Sequence, residues 1–241
     1  PAFGTPNAVA LSADETTAFV MDTGLDALLS VDLATGARTV VSNAATSNGG
    51  PAFVTPRSLA LSNDDSTALT VDSGLPALLS VDLETGVRTV VSGDATPNGG
   101  PRFGRPQAVA LSADEQTAWV VDGLLRALLS VDLETGVRTV VSNGATPNEG
   151  PEFGNPVSLD LSADDSTAFV VDPLFSSRAL VAVDLETGAR TIVSNNATAN
   201  GGRTFSSPAG VVLTASVADA LVVDIISGAL LSVDLETGVR T

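Results

Sequence analysis

A segment of about fifty residues recurs along the whole chain, and a repeat of that length leaves few folds open. The copy at 6–41, PNAVALSADETTAFVMDTGLDALLSVDLATGARTVV, starts again at Pro56, Pro106 and Pro156, and once more at Pro208 after a two-residue insertion. Every copy carries four runs in the same order: an apolar run after the proline, a second ending in Asp, a third reading LLSVDL or LVAVDL, and a last opening Arg-Thr. Four short strands cannot bury both of their faces alone, so such units have to stack on one another.

The first runs are AVALS at 8–12, SLALS at 58–62, AVALS at 108–112, SLDLS at 158–162 and GVVLT at 210–214. They are short and apolar, and read as innermost strands buried on both faces. Asp and Asn in the turn that follows (ADETT, NDDST, ADEQT, ADDST) can bond their own backbone. The fifth copy has ASVAD and should turn differently. The second runs are rich in β-branched and aromatic residues, which favours strands. Phe19, Leu69, Trp119, Phe169 and Leu221 share one position in them and read as wedges between units. After the third run, Gly36, Gly86, Gly136, Gly188 and Gly238 follow Thr in a hairpin that needs a positive φ. A long Asn-, Gly- and Pro-rich loop joins each unit to the next. Phe3, Phe53, Phe103, Phe153 and Phe205 recur in it and are expected to plug the seams.

The expected fold is all-β: a five-bladed β-propeller of four-stranded antiparallel blades, one domain over 1–241. Repeats fall at about 1–50, 51–100, 101–150, 151–202 and 203–241, the last lacking most of its outer strand. A solenoid is disfavoured, because hairpin-linked strands make a blade rather than a coil rung. The in-phase start and short last repeat fit either a closed five-bladed ring or a piece of a longer, six-bladed propeller. The closed ring is the expectation, with the first blade packed on the fifth and Phe3 in that seam, since an open arc leaves apolar faces in water.

Charge and missing residue types narrow function. The formal charge is −17, from 28 acidic and 11 basic residues. Such a surface cannot replace the counterions of nucleic acid; it suits cations, basic partners or a salty medium. No run is long enough to span a membrane as a helix. There is no Cys, His or Lys, so thiolate and imidazole chemistry and Schiff bases are excluded. Carboxylates, hydroxyls and arginine remain.

Asp22, Asp72, Asp122, Asp172 and Asp224 end the second runs, and a propeller would set them in a ring on one face. They suit a hard cation such as calcium, or each caps its own loop through backbone N–H groups. Recurrence in every copy favours the cap, and no cofactor is expected. Asp32, Asp82, Asp132, Asp184 and Asp234 read as Asx-turn formers. Arg38, Arg88, Arg138, Arg190 and Arg240, across that hairpin, are expected to form weak surface ion pairs with these or the neighbouring Glu. The acidic first hairpins (Asp14 and Glu15, Asp64 and Asp65, Asp114 and Glu115, Asp164 and Asp165) form a solvated turn or a rim for a basic partner.

Departures from the repeat point to a site. Asp160 stands in an innermost strand where other copies have Ala10, Ala60, Ala110 and Val212. It needs a partner, water or metal ion there, or must protonate. Leu124, Leu125, Arg126, the inserted loop with Phe175 and Arg178, and Ile225 and Ile226 follow the second-run Asp residues. They would make one face apolar with arginines beside it, the candidate ligand face.

The pattern P-x-x-V-A-L-S-A-D, A-F-V-x-D, L-S-V-D-L-x-T-G resembles the repeats of YVTN and NHL-type propellers in all five copies. It departs from them where Asp-Gly of the first hairpin is Asp-Glu or Asp-Asp, and where Val-Thr-Asn ends in Asp. The resemblance implies a propeller and a secreted or surface scaffold that binds protein or carbohydrate. The expected function is therefore a non-enzymatic binding or structural module, extracellular, at the cell surface or periplasmic, of unknown oligomeric state. One alternative is a lactonase-like hydrolase with a metal ion polarising a carbonyl. Another is a spacer or assembly unit of a larger surface protein.

Overall fold

A computed structural model of the chain describes residues 1–45, 50–94, 99–144, 150–174, 178–197, 202–214 and 218–241. The recurrent runs become strands. The first blade holds β1 (Pro6–Leu11), β2 (Thr17–Asp22), β3 (Ala27–Asp32) and β4 (Arg38–Asn43). The second holds β5 (Ala60–Leu61), β6 (Thr67–Asp72), β7 (Ala77–Asp82) and β8 (Arg88–Gly93). The third holds β9 (Pro106–Leu111), β10 (Thr117–Asp122), β11 (Ala127–Asp132) and β12 (Arg138–Ser142). The fourth holds β13 (Ser158–Leu161), β14 (Thr167–Asp172), β15 (Ala179–Asp184) and β16 (Arg190–Asn195). The fifth holds β17 (Pro208–Leu213), β18 (Asp219–Asp224) and β19 (Ala229–Asp234).

Within each blade the strands pair in sequence order, antiparallel, as a meander. In the fourth, Phe169 lies opposite Ala182 and Asp160 opposite Phe169. The fifth sheet has three strands, and Thr241 exchanges backbone hydrogen bonds with Ser232 where a fourth would run. This is an all-β, five-bladed propeller fold. The chain divides into two compact units, Pro1–Leu111 with Glu115–Ala118 and Val131–Arg138, and Ser112–Asp114 with Trp119–Ser130 and Thr139–Thr241.

Turn chemistry follows the repeat. The Asp32 carboxylate accepts from the N–H and the hydroxyl of Thr35, both at 2.7 Å, and Asp82, Asp132, Asp184 and Asp234 do the same with their Thr. Gly36 then takes φ 71°, where a side chain would be strained. The innermost strands are only partly buried, contrary to expectation; β13 buries Leu159 alone, while β14 is almost wholly buried. Each innermost strand is a sheet edge, with a hydrogen-bonded neighbour on one side. The turn ASVAD lies partly outside the described residues.

Blades meet through two distinct faces. In the first unit, Ala8, Phe19, Met21 and Leu28 of the first blade pack on Phe53, Leu59, Ala68, Leu79 and Val81 of the second. In the second unit, Phe169, Val171 and Leu180 pack on Phe205, Ala220, Val222, Leu231 and Val233. Each blade thus has a trailing face toward the next repeat and a leading face toward the previous one. Each Leu or Phe so covered contributes roughly 1.5–3 kcal/mol.

The Arg of the Arg-Thr run closes each seam. Arg88, Arg138, Arg190 and Arg240 are only 3–4% exposed. The Arg88 Nε donates to the Pro51 carbonyl (2.5 Å); one terminal nitrogen donates to Ser42 Oγ of the preceding blade (2.6 Å) and to the Asn43 carbonyl (2.9 Å). The Ser42 hydroxyl in turn donates to the Gly86 carbonyl at 2.7 Å. The guanidinium lies 5.3 Å over the Phe53 ring. Arg138, Arg190 and Arg240 repeat this with Ser92, Ser142 and Ser194 and with Phe103, Phe153 and Phe205. Gly50, at φ 81°, packs so closely on Arg88 that an added Cβ would sit 1.9 Å from its carbonyl oxygen. Gly100, Gly150 and Gly202 hold the same place.

The expected surface ion pairs are therefore not what these arginines make. Their partners are carbonyls, a hydroxyl and a ring, and burial lowers the pKa of all four from the usual guanidinium value. An ion pair does occur between Arg102 and Asp94, at 3.8 Å on the surface.

The terminal faces were expected to be covered; each exposes some apolar side chains, while Ala18 and Leu29 on the first blade's leading side are buried. On the first blade's leading face Val9 is 65% exposed, where Leu59, Val109 and Leu159 are under 10%. Phe3 is 37% exposed against 4% for Phe53. On the fifth blade's trailing face Leu230 is 61% exposed, where Leu28, Leu78, Leu128 and Leu180 are fully buried. Arg38 is exposed, donates to the Pro1 carbonyl and stacks 4.3 Å over Phe3.

Arg88→Ala should lower stability by at least about 3 kcal/mol, since it leaves a buried hydroxyl and carbonyls without their donor. Arg38→Ala should cost under about 1 kcal/mol. Urea unfolding of the two variants checks this; equal losses would mean the seam contributes nothing beyond packing.

Candidate functional site

The second strand of each blade ends in an Asp whose carboxylate is turned inward. Asp22 accepts from the N–H groups of Gly4 and Thr5 in the incoming loop and of Gly24 and Leu25 in its own loop, at 2.7–3.1 Å. Asp72 does the same with Val54, Thr55, Gly74 and Leu75. Asp122 caps Leu124 and Leu125; Asp172 caps Gly154, Asn155 and Leu174; Asp224 caps Ser206, Ser207 and Ser227. All five are 0–1% exposed, so they tie two loops together from below and offer no oxygen to solvent. Burial pushes the carboxyls of Asp22 and Asp224 up, but their hydrogen-bond donors outweigh it and hold both below the usual value. The described residues hold no group of three or more acidic side chains gathered for a metal ion.

The loops resting on these caps expose apolar tips. In the second unit Leu124, Leu174, Ile225 and Ile226 are 65–74% exposed, and Arg126 and Arg178 are exposed beside them. Leu125 is half-buried. Phe175 lies outside the described residues. Arg126 and Arg178 sit at φ 52° and 50°, so their loops turn through the left-handed region without glycine.

At the other end of the blades, the acidic hairpins are not simply a solvated rim. Asp65, Glu115 and Asp165 hold φ values of 53–57°, a region that favours glycine. Each carboxylate reaches back one blade to a hairpin N–H: Asp65 to Ala13, Glu115 to Asn63 and Asp165 to Ala113. The acid at this position makes a second tie across the seam. Asp64 and Asp164 are held down to about 2 by the hydroxyls of Ser66 and Ser62, and of Ser162 and Ser166. A shallow pocket in the first unit is lined by Asp64, Leu69, Leu111, Glu115 and Leu133. Both of its acids are already hydrogen-bonded.

Asp160 is half-buried and satisfied by backbone. Its two oxygens accept from Leu161 N–H at 2.9 Å and from Leu213 N–H of the fifth blade at 2.7 Å. Burial nevertheless raises its pKa above the ordinary 3.8. The position matches the Ala of other blades, so the sequence flagged it; its partner, 53 residues on, could not be read there. Ser158 holds the Val211 N–H in the same way, as Ser58 holds Val109.

No family model matches the chain, and no curated protein matches it. Among solved structures, "Crystal structure of Nidogen/Laminin Complex" contains a chain with TM-score 0.75 and 14% identity, covering 98% of this chain and 78% of that one. A structural genomics protein of unknown function from Bacteroides thetaiotaomicron gives 0.71 at 17% identity, covering 99% and 57%. The Kuenenia stuttgartiensis hydrazine synthase gives 0.67 at 12%, covering 98% and 78%. At these identities the likeness is one of fold.

A raised carboxyl pKa means Asp160 stabilises the fold fully below the unfolded value, and that contribution is lost as pH rises through the folded value. The stability of Asp160→Asn relative to wild type should therefore increase between pH 3 and pH 7. Thermal melts across that range check the sign; a relative stability that falls with pH would show the two N–H donors outweighing burial.

Proposed function

We propose that the protein is a non-enzymatic, extracellular or cell-surface module, of the YVTN/NHL kind its repeats resemble, that binds protein partners through the loops after the second strands. The carrying observation is the group of exposed Leu124, Leu174, Ile225 and Ile226 set on loops clamped from beneath by buried Asp. Apolar side chains held on preordered loops lose little entropy on binding, which suits a protein interface. The exposed tips among the described residues are aliphatic and lack the aromatic faces that stack on sugars, so protein is favoured over carbohydrate. The nidogen and laminin complex, whose propeller chain is similar in fold, is compatible with this reading. Against a hydrolase stands the occupation of the recurrent second-strand carboxylates by backbone N–H groups.

Biolayer interferometry against laminin and a panel of extracellular proteins tests the proposal. Any binding found should weaken about tenfold or more in the Ile225→Ser, Ile226→Ser double variant, and stay unchanged in Asp14→Asn on the opposite hairpins. Equal loss in both variants, or no binding at all, would contradict it. So would metal-dependent turnover of lactones or phosphoesters.

A further inference from the structure

We propose that the seam between the second and third blades holds a site for a small organic amine, an ammonium group carried on an apolar body the size of one aromatic ring. The site follows from a single departure in the repeat. At the position of Phe19, Trp119 and Phe169, the second blade carries Leu69. In the first seam, Phe19 shares its apolar cluster with Leu61 and Leu83 of the second blade. In the second unit, Phe169 shares its cluster with Leu213 and Leu235 of the fifth blade. The third blade carries Leu111 and Leu133 at the places of those leucines, and Leu69 meets them without a ring.

A cavity of about 210 Å³ opens there, lined by Leu69, Leu111 and Leu133 together with Ser62, Ser66, Thr67, Asp64 and Glu115. All of these residues belong to the first unit. The strand ladder keeps the gap from closing, since Leu69 pairs with Ala60 on one side and Ser80 on the other. Leu69 is 5% exposed and forms the buried part of the wall. An apolar cavity of roughly 150 Å³ takes up benzene, so there is room here for one ring.

The mouth sets the charge of the occupant. Asp64 Oδ1 accepts from the Ser62 hydroxyl and the Ser66 N–H, and Glu115 Oε1 accepts from the Asn63 N–H. Each carboxylate keeps its second oxygen for a further donor. Asp64, held down to about 2 by the Ser66 and Ser62 hydroxyls, is ionised at neutral pH. Among the described residues neither acid forms an ion pair. A cation at the mouth is therefore attracted, an anion is repelled, and an apolar body behind the cation fills the space that Phe19 and Phe169 fill in their own seams. The site lies at the hairpin end of the blades, away from the loops assigned to protein partners, and does not depend on that assignment.

Protein-observed NMR titration of the intact chain with 2-phenylethylamine at pH 7 is the test, with 2-phenylethanol and 3-phenylpropionate as neutral and anionic isosteres. The expected result is saturable, millimolar binding of the amine, with shifts centred on the Leu69, Leu111 and Leu133 methyl groups. The amine should bind about threefold tighter than the alcohol at low salt, the propionate should not bind, and 1 M NaCl should erase the preference. Glu115→Gln keeps the acceptor for Asn63 and should reduce that preference while the alcohol still binds. Leu69→Trp, which installs the residue found at 119, should abolish binding of both. Leu69→Phe is the second blocking variant, and circular dichroism confirms that each variant is folded. N-acetyl-lysine amide, standing for a basic side chain of a protein, should bind more weakly than the amine because its stem leaves the ring space unfilled. No saturable binding of the amine overturns the proposal. So do equal affinities for amine, alcohol and propionate, binding that survives both Leu69 variants, or tighter binding of the lysine amide.

Discussion

Stacking in this protein turns on a buried arginine that has no buried acid. Four guanidiniums lie at the seams with 3–4% exposure, and each is held by carbonyls, a serine hydroxyl and a phenylalanine ring. Removing a cation from water is costly, and neutral acceptors must offset that cost together. Arginine suits the task because its planar fork donates in several directions at once and stacks on a ring. Much of the remaining seam follows from that geometry. Serine must stand four residues after Arg in the preceding blade, Phe must lie beneath the fork, and glycine must let the incoming loop touch the Arg carbonyl. The apolar faces supply most of the burial; the polar clamp fixes how one blade sits on the next.

The acids are arranged around the same problem. A chain with 28 acidic residues and no lysine keeps carboxylates out of the seam clamp. It uses them where backbone N–H groups need acceptors: under the second-strand loops, within the Thr-Gly hairpins, and across hairpins of successive blades. The loops capped by Asp122, Asp172 and Asp224 are thereby held in place while their tips stay apolar and exposed. One set of contacts stiffens the scaffold, and the same contacts present the candidate binding surface.

The strand runs, their order and their turns were legible because local chemistry fixes them. Period, Asx-turns and Gly at positive φ act within a few residues. The recurrent Phe residues were legible as seam plugs for four copies of five. What could not be read was which arginines would be buried. Arg38 and Arg88 open identical Arg-Thr runs, yet Arg88 reaches Ser42 of the preceding repeat while Arg38 turns to the Pro1 carbonyl. The serine partner lies 46 residues back, beyond any local pattern. Asp65 and Glu115 were read as solvated for the same reason, since their acceptor role appears only when two blades meet. A recurring Arg and Ser at a constant offset, with Gly and Phe in the loop between, was the signal that could have shown the clamp.

A double-mutant cycle between Arg190 and Ser142 tests the central claim most directly. Both residues lie in the second unit, and the Arg190 guanidinium donates to the Ser142 hydroxyl. Stabilities of the wild type, Arg190→Gln, Ser142→Ala and the double variant give their coupling free energy. A clamp made to neutral partners predicts a coupling above about 1 kcal/mol, unchanged between 0.1 M and 1 M NaCl. A coupling near zero, or one that salt abolishes, would mean that the arginine acts through surface charge and that the seams are held by apolar packing alone.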